Sequence, residues 1–478
     1  MIVGIAQVIA PVLLANRLWH AVETKVSSYL WVIINNEMVE VGVVVNQTQV
    51  AIIKVATGEI YPAIMPFHPD ANYPEYEFFR LSTERNAAYQ AVRECFHLAG
   101  LDASQYGTQD WNPLGELISP GETVLLKPNL VKENHPRNPE GWKYVLTHGS
   151  VIRAVADYVF KALKGEGKVI VADAPQTDSS FEVISQLLGL RELHAFYRSQ
   201  GANFDLVDLR KEEWVNHDGV ITERKTLAGD PHGYVAFDLG KNSEFIDHPG
   251  EGRFYGADYD ADEVNRHHSN GRHEYLIAGT VVHADVIFSL PKLKTHKKAG
   301  VTVTLKNLVG INGDKNWLPH HTEGDPGTGG DERPSLGSKG QAERSIVPYF
   351  RWVSLHVPGV GPWLHRIART VGSRYFGDTE DVIRSGNWWG NNTTWRMCLD
   401  LNKIALCIPL RFFLFFLYNW IWVGAWRAGW VGYIWARLRS DVMRLREYKH
   451  FEIQIRGQLP HLRLHGPGTP DQRVHQYE

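Results

Sequence analysis

Between residues 122 and 209 two hydrophobic periods alternate, and this constrains the fold more than any other feature of the chain. "ETVLLKPN" (122–129) is a short apolar run of strand length, and "SVIRAVADYVFKALK" (150–164) carries apolar residues at helical spacing, with Ser150 placed to cap it. "GKVIVADAP" (167–175) is again a continuous apolar run, "SFEVISQLLGL" (180–190) reads as helix, and "NFDLVDL" (203–209) as strand. Strands that are apolar on both faces and separated by helices of this length form right-handed βαβ units in a mainly parallel sheet. "HADVIFSLP" (283–291) supplies a further buried strand. The expected class is α/β, a mainly parallel central sheet with flanking helices.

Around this core the chain divides by composition. Residues 1–45 form an N-terminal extension, and 46–404 form the α/β domain. It opens with two β-branched runs in "GVVVNQTQVAIIKVA" (42–56). Residues 61–80, rich in proline and aromatics, read as loop. "STERNAAYQAVRECFHLAG" (82–100) reads as a helix capped by Ser82 or Thr83 and closed by Gly100. Residues 210–280 are a polar insertion with short aromatic strands. Residues 312–345 are a Gly/Pro-rich loop, long enough to suggest function. Residues 405–478 are an aromatic-rich extension. Its uncharged run, Phe412 to Trp426, is shorter than the ~20 residues of a membrane span. The tail at 404–440 therefore has three readings: an interfacial or re-entrant segment at a membrane surface, a buried helical hairpin, or a sequence outside the native reading frame.

Bulk charge limits the partners. The formal net charge is −3, so no global basic field exists for nucleic acid. Three cysteines, Cys95, Cys398 and Cys407, exclude a disulfide scaffold and point to a reducing, cytoplasmic setting, with peripheral membrane contact through the tail. The N-terminus is a poor signal peptide, lacking a basic start and a small-residue cleavage site.

Against that balance, "LPKLKTHKKAGVTVTLKNLVGIN" (290–312) is strongly basic, and it follows a buried strand. In an open parallel sheet, ligands bind beyond the carboxyl ends of the strands. Three strands end there in polar groups: Lys127 and Asn129; Asp173 with Asp178 beyond it; and Lys292, Lys294 and His296, followed by Lys306 and Asn307. An aspartate after a strand also caps helices, and a lone histidine is more often structural. Recurrence at one topological edge favours a site. Ammonium groups beside a Gly-rich turn suit phosphate or carboxylate. No Walker A order, GxGxxG fingerprint or Gly-x-Ser-x-Gly elbow occurs. His296, His320, His321, Asp173 and Asp178 are the candidates for a metal.

The segments "VLLKPNLV", "HGSVIRAVADYV", "VIVADAPQTDSSFE", "ADVIFSLPKLKTHKKAGVTVTLKNLVGI" and "NNTTWRMCLDLNK" together resemble the family called domain of unknown function 362, over about residues 48–404. The resemblance marks Lys127, Asn129, Asp173, Lys292, Lys294, His296, Lys306 and Asn307 as motif positions without assigning them roles. Many members carry a ferredoxin-like iron–sulfur segment. This chain lacks the cysteines for it, so no cluster is expected, and the identity of any cofactor stays open. At the level of fold the α/β core is also similar to the N-terminal domain of nickel-pincer lactate racemases. From about residue 405 the sequence departs from the family pattern.

The expectation is an enzyme acting on an anionic small molecule. Lys127, Lys292, Lys294 and Lys306 bind and stabilise negative charge, and Asp173 or His296 serves as acid/base. Two alternatives stand beside it: a non-catalytic binding or assembly protein at a membrane surface, and a cofactor- or metal-dependent isomerase or redox enzyme. Reaction type and oligomeric state are not set by the sequence.

Overall fold

A computed structural model of the chain describes residues 8–9, 51–56, 60–133, 138–217, 220–256, 259–296, 298–331, 349, 353, 357 and 392–417. Two compact units are present, Met1–Pro409 and Leu410–Glu478, and the sheet, its cores and the site belong to the first. The strands are β1 (Thr123–Pro128), β2 (Lys168–Asp173), β3 (Phe204–Asp208), β4 (Glu212–His217), β5 (Val220–Thr226), β6 (Tyr234–Asp238), β7 (Phe254–Tyr255), β8 (Glu274–Ala278), β9 (Val286–Leu290), β10 (Lys294–His296), β11 (Gly300–Thr302) and β12 (His321–Thr322). The helices are α1 (Ala87–Leu98), α2 (Trp142–Val145), α3 (Gly149–Leu163), α4 (Phe181–Leu187), α5 (Leu190–Ser199), α6 (Ala261–His267), α7 (Gly279–His283), α8 (Thr304–Asn307) and α9 (Thr394–Leu417).

The central sheet is parallel in the order β9-β1-β2-β3, as the strand–helix alternation predicts, and Val8–Ile9 adds an antiparallel pair on the outer side of β9. Its strands are apolar on both faces because both are covered. Val124, Leu126, Val169, Val171 and Phe288 pack with α1, α3 and α5, while Leu125, Ile170, Ala172 and Ile287 pack with Phe245, Tyr275, Ile277, Met397 and Leu401. The insertion at 210–280 forms two antiparallel pairs, β4-β5 and β6-β8, and helps build the second core.

Local chemistry corrects several element ends. Asn86 caps α1 through its side chain, where Ser82 or Thr83 was expected, and Gly100 then closes the helix at positive φ. The cap of α3 is His148, not Ser150: its Nδ1 accepts the Ser150 N–H at 3.2 Å. The predicted helix over 180–190 stops at Leu187, and Gly189 (φ 63°) turns the chain into α5. A Cβ there would stand 2.9 Å from Met65, so the turn also requires glycine sterically. Residues 51–56 form no strand, contrary to the β-branched pattern at 42–56. The loop reading of 61–80 holds, and of the long loop at 312–345, residues 312–331 carry short 3-10 turns and β12.

The aromatic tail read at 404–440 lies largely outside the described residues, as does most of the extension at 1–45. Among the described residues no helix is long and apolar enough to cross a membrane.

Candidate functional site

The carboxyl ends of β1, β2 and β9 meet around one buried ion pair. Lys127 enters it from the end of β1 and Asp173 from the end of β2, with Nζ–Oδ1 at 2.7 Å and side chains 1% and 5% exposed. The other carboxylate oxygen accepts the Leu130 N–H at 2.7 Å, so both oxygens are engaged. The ammonium also donates to the Pro128 carbonyl at 2.7 Å and to Asn307 Oδ1 at 3.3 Å. Asn307 in turn donates to the Lys127 carbonyl and to Ser289 Oγ on β9, each at 2.9 Å. Burial pulls the Lys127 ammonium below its ordinary range, and the Asp173 charge works against that. Gly310 closes this assembly: a Cβ there would lie 1.8 Å from Asp173 Oδ1 and 2.7 Å from Lys127 Nζ, and its carbonyl accepts the Ala174 N–H. The close approach, not backbone freedom, is what requires glycine.

Above this foundation the basic stretch folds as a hairpin and a helical turn. "VTVTLK" is neither one strand nor one helix. β11 ends at Thr302 and α8 begins at Thr304. In the β10-β11 ladder Lys294 pairs with Thr302 and His296 with Gly300, so Lys294, His296 and Thr302 share a face. Thr295 and Val301 occupy the opposite, exposed face. The inner face is polar because it looks toward the strand ends. There Lys294 Nζ donates to Asn129 Oδ1 at 3.1 Å and to the Val145 carbonyl at 2.6 Å.

The ammonium groups here are crowded, with Lys292 and Lys315 buried and Lys294 and Lys306 partly so. Burial, then the charges of Lys306 and Lys292, pull Lys294 down to about 7. Lys292 is pulled to about 7 by burial, with its ammonium 4.9 Å above the Tyr61 ring. Lys315, donating to the Val309 and Asn312 carbonyls, is likewise brought to about 7 by burial. Lys306 is lowered by burial too, and its neighbour on α9 is Cys398. Among the described residues no carboxylate lies within ion-pair distance of Lys294, Lys306 or Lys315, and Lys306 has no hydrogen-bond partner. The buried hydroxyls of Thr302 and Thr304 are also without a partner there.

His296 is held as a neutral donor. Its Nδ1 accepts the N–H groups of Lys298 and Ala299, each at 3.1 Å, which places the ring proton on Nε2. Burial, then the Lys306 and Lys294 charges, lower it to about 4. Lys298 itself is tied to Asp331. Asp178 pairs with Lys132 in a partly exposed contact. His320 is pushed well below its ordinary value by burial, then by Lys306. Among the described residues no group of three His, Cys, Asp or Glu side chains is arranged to hold a metal ion.

Several participants have no motif in the sequence. Lys315 hides in the loop "NGDKNW", and Gly310 looks like a turn residue. His148 stacks at 4.2 Å on Tyr61, which carries Lys292 on its ring. Nothing in the spacing of residues 61, 148 and 292 announces that assembly. Arg210, buried, pins the loop after β2 by donating to the Gln176 and Ser179 carbonyls, at 2.9 and 2.7 Å, while it pairs with Asp208 and Glu213.

No curated protein and no solved structure matches the chain. The profile of the family described as Domain of unknown function (DUF362) matches residues 124–227 and 218–417. These segments hold every strand end that builds the lysine cluster. They cover more than half of the 478 residues, and the chain belongs to this family.

Proposed function

We propose that the protein is an enzyme that binds an anionic small molecule, bearing phosphate or carboxylate, at the carboxyl edge of the parallel sheet. One observation carries this reading: Lys294 and Lys306, partly buried, and Lys315, buried, are gathered without a carboxylate in ion-pair range among the described residues. Burying uncompensated ammonium groups is costly, and a fold retains them where a ligand supplies the missing charge. Lys127 and Asp173 neutralise each other and form the floor, and Lys294 and Lys306 face the ligand, with Lys292 beside them on Tyr61. Asn129 orients Lys294, and His296 supplies a neutral N–H donor. The geometry favours Asp173 as a positioning group, because both of its oxygens are engaged.

The test is calorimetric titration and thermal shift with orthophosphate, pyrophosphate and citrate, on the native chain and on Lys306→Met. Saturable stabilisation of the native chain at moderate salt, lost or weakened at least tenfold in Lys306→Met, is expected. Equal responses of the two proteins, or none in either, refute the reading.

A further inference from the structure

We propose that Lys294 is a nucleophilic amine that condenses with the carbonyl group of an anionic substrate, a 2-oxo acid or a phosphorylated aldehyde or ketone. This rests on the anion-binding reading above and gives it a substrate class.

The geometry separates Lys294 from the other lysines. Lys127 is committed to Asp173, Lys298 to Asp331, and Lys315, buried, donates to the Val309 and Asn312 carbonyls. Lys294 touches only neutral acceptors, Asn129 Oδ1 and the Val145 carbonyl, and the residue keeps part of its surface accessible. An amine held by neutral acceptors and crowded by cations sheds its proton easily, which is how a lysine becomes a nucleophile near neutral pH. Its lowering to about 7 agrees with that placement. The two functions an imine-forming site needs beside the amine are also at hand. Lys306, four residues past the hairpin, has no partner among the described residues and can take the carboxylate or phosphate. On the same hairpin face His296 presents a neutral imidazole with its proton on Nε2, and Thr302 presents a buried hydroxyl without a partner among the described residues.

The step balances without a redox partner. The neutral Nζ of Lys294 forms a bond to the carbonyl carbon while the carbonyl π bond breaks toward oxygen. The oxygen takes a proton, from His296 Nε2–H in our assignment, and the nitrogen gives one up to the imidazole, leaving a carbinolamine. A proton taken up from solvent, the one net proton the sequence consumes, is passed to the hydroxyl, and cleavage of the C–O bond releases water as the nitrogen lone pair forms the C=N bond of an iminium ion. Its positive charge sits where the amine stood and draws electrons from the adjacent carbon.

The test uses glyoxylate, the smallest anionic aldehyde, and glycolaldehyde phosphate, each with cyanoborohydride on the native chain, followed by peptide mass spectrometry. A saturable reductive adduct on Lys294 is expected, exceeding that on surface lysines such as Lys241 by on the order of 100-fold near pH 7, since an ordinary lysine of pKa ~10.4 is almost wholly protonated there. Orthophosphate should compete. Adduct with glyoxylate alone marks a carboxylate substrate, and with glycolaldehyde phosphate alone a phosphorylated one. Modification that follows surface exposure and spares Lys294 overturns the inference. If orthophosphate still stabilises the protein in that case, the anion-binding reading survives; if it does not, both fall. Lys294→Met, checked for folding by thermal unfolding, should lose the adduct. Undiminished site-specific modification of that variant would refute the assignment.

Discussion

Replacing Lys127 by methionine tests the foundation of the site. The substitution keeps most of the side-chain volume and removes the ammonium. It breaks an ion pair of 2.7 Å whose partners are 1% and 5% exposed, together with the donations to the Pro128 carbonyl and Asn307 Oδ1. Removing one member of a buried pair leaves the other charge uncompensated and costs about 3–5 kcal/mol. Denaturant slopes grow with chain size and exceed ~3 kcal/mol/M in urea for a domain this large, so the urea midpoint should fall by about 1 M. The partner variant is the control. Asn in place of Asp173 keeps an oxygen for the Leu130 N–H, which now meets Oδ2 at 2.7 Å, and removes the orphaned charge. The double variant Lys127→Met/Asp173→Asn should therefore be more stable than the sum of the single losses by at least about 1–2 kcal/mol, a coupling typical of contacting residues. Tryptophan fluorescence and circular dichroism along the same urea series read the midpoint. A single-variant shift below roughly 0.2 M, or strict additivity in the cycle, would show that the pair does not organise the three strand ends.

Three further outcomes follow from the same geometry. Lys306→Met should raise the urea midpoint while abolishing anion-induced stabilisation, because it removes a partly buried ammonium that has no bonding partner among the described residues; a lower midpoint would contradict that unpaired state. Stability should rise between pH 7 and 9. Lys292, Lys294 and Lys315 are released to about 7 in the folded chain but titrate near ~10.4 when unfolded, so the unfolded state binds more protons across that window and the penalty deepens as pH falls toward 7. Saturating phosphate should flatten that slope, and titration calorimetry in buffers of different ionisation enthalpy should show proton uptake on binding near pH 8. Gly310→Ala should destabilise at least as much as Lys127→Met, since its Cβ would fall 1.8 Å from Asp173 Oδ1; wild-type melting behaviour would show that the turn can move away at little cost.

The sheet was legible because its evidence is periodic. "VLLK", "VIVAD" and "VIFSL" run apolar on successive positions, and so on both faces, until their polar carboxyl ends, and only a strand covered on both sides tolerates that. Helix ends were less legible, because caps depend on single atoms. His148 displaces Ser150 as the cap of α3 by virtue of its Nδ1, and its ring is fixed there by stacking on Tyr61, 87 residues earlier in the chain. The strand-end lysines were visible as charge placed after apolar runs. Their division of labour was not. That Lys127 pairs with Asp173 while Lys294 meets only neutral acceptors depends on the register of β1 against β2 and of β10 against β11, neither of which local sequence encodes. Lys315 was invisible for the same reason, since a lysine in a polar loop ordinarily faces water.

That division gives the site a physical logic. An anion pocket built from fully charged lysines would repel itself when empty, whereas one whose lysines each held a carboxylate would have no charge left for a ligand. Here a single carboxylate is spent on the deepest lysine, where it also fixes Leu130 and, through Asn307 and Ser289, ties β1 to β9. On the proposed reading, burial and mutual repulsion let the outer lysines give up protons near pH 7, and an entering anion returns them. The same property that limits the cost of the empty pocket leaves a free amine on Lys294. Binding and nucleophilic chemistry then compete for one proton, because an anion that reprotonates Lys294 quenches it, while an anion held by Lys306 does not. The resulting expectation is specific: phosphate should inhibit adduct formation at Lys294 more strongly in the native chain than in Lys306→Met, and equal inhibition in the two would separate the anion-binding lysine from the reactive one in space and remove the reason to place them in one site.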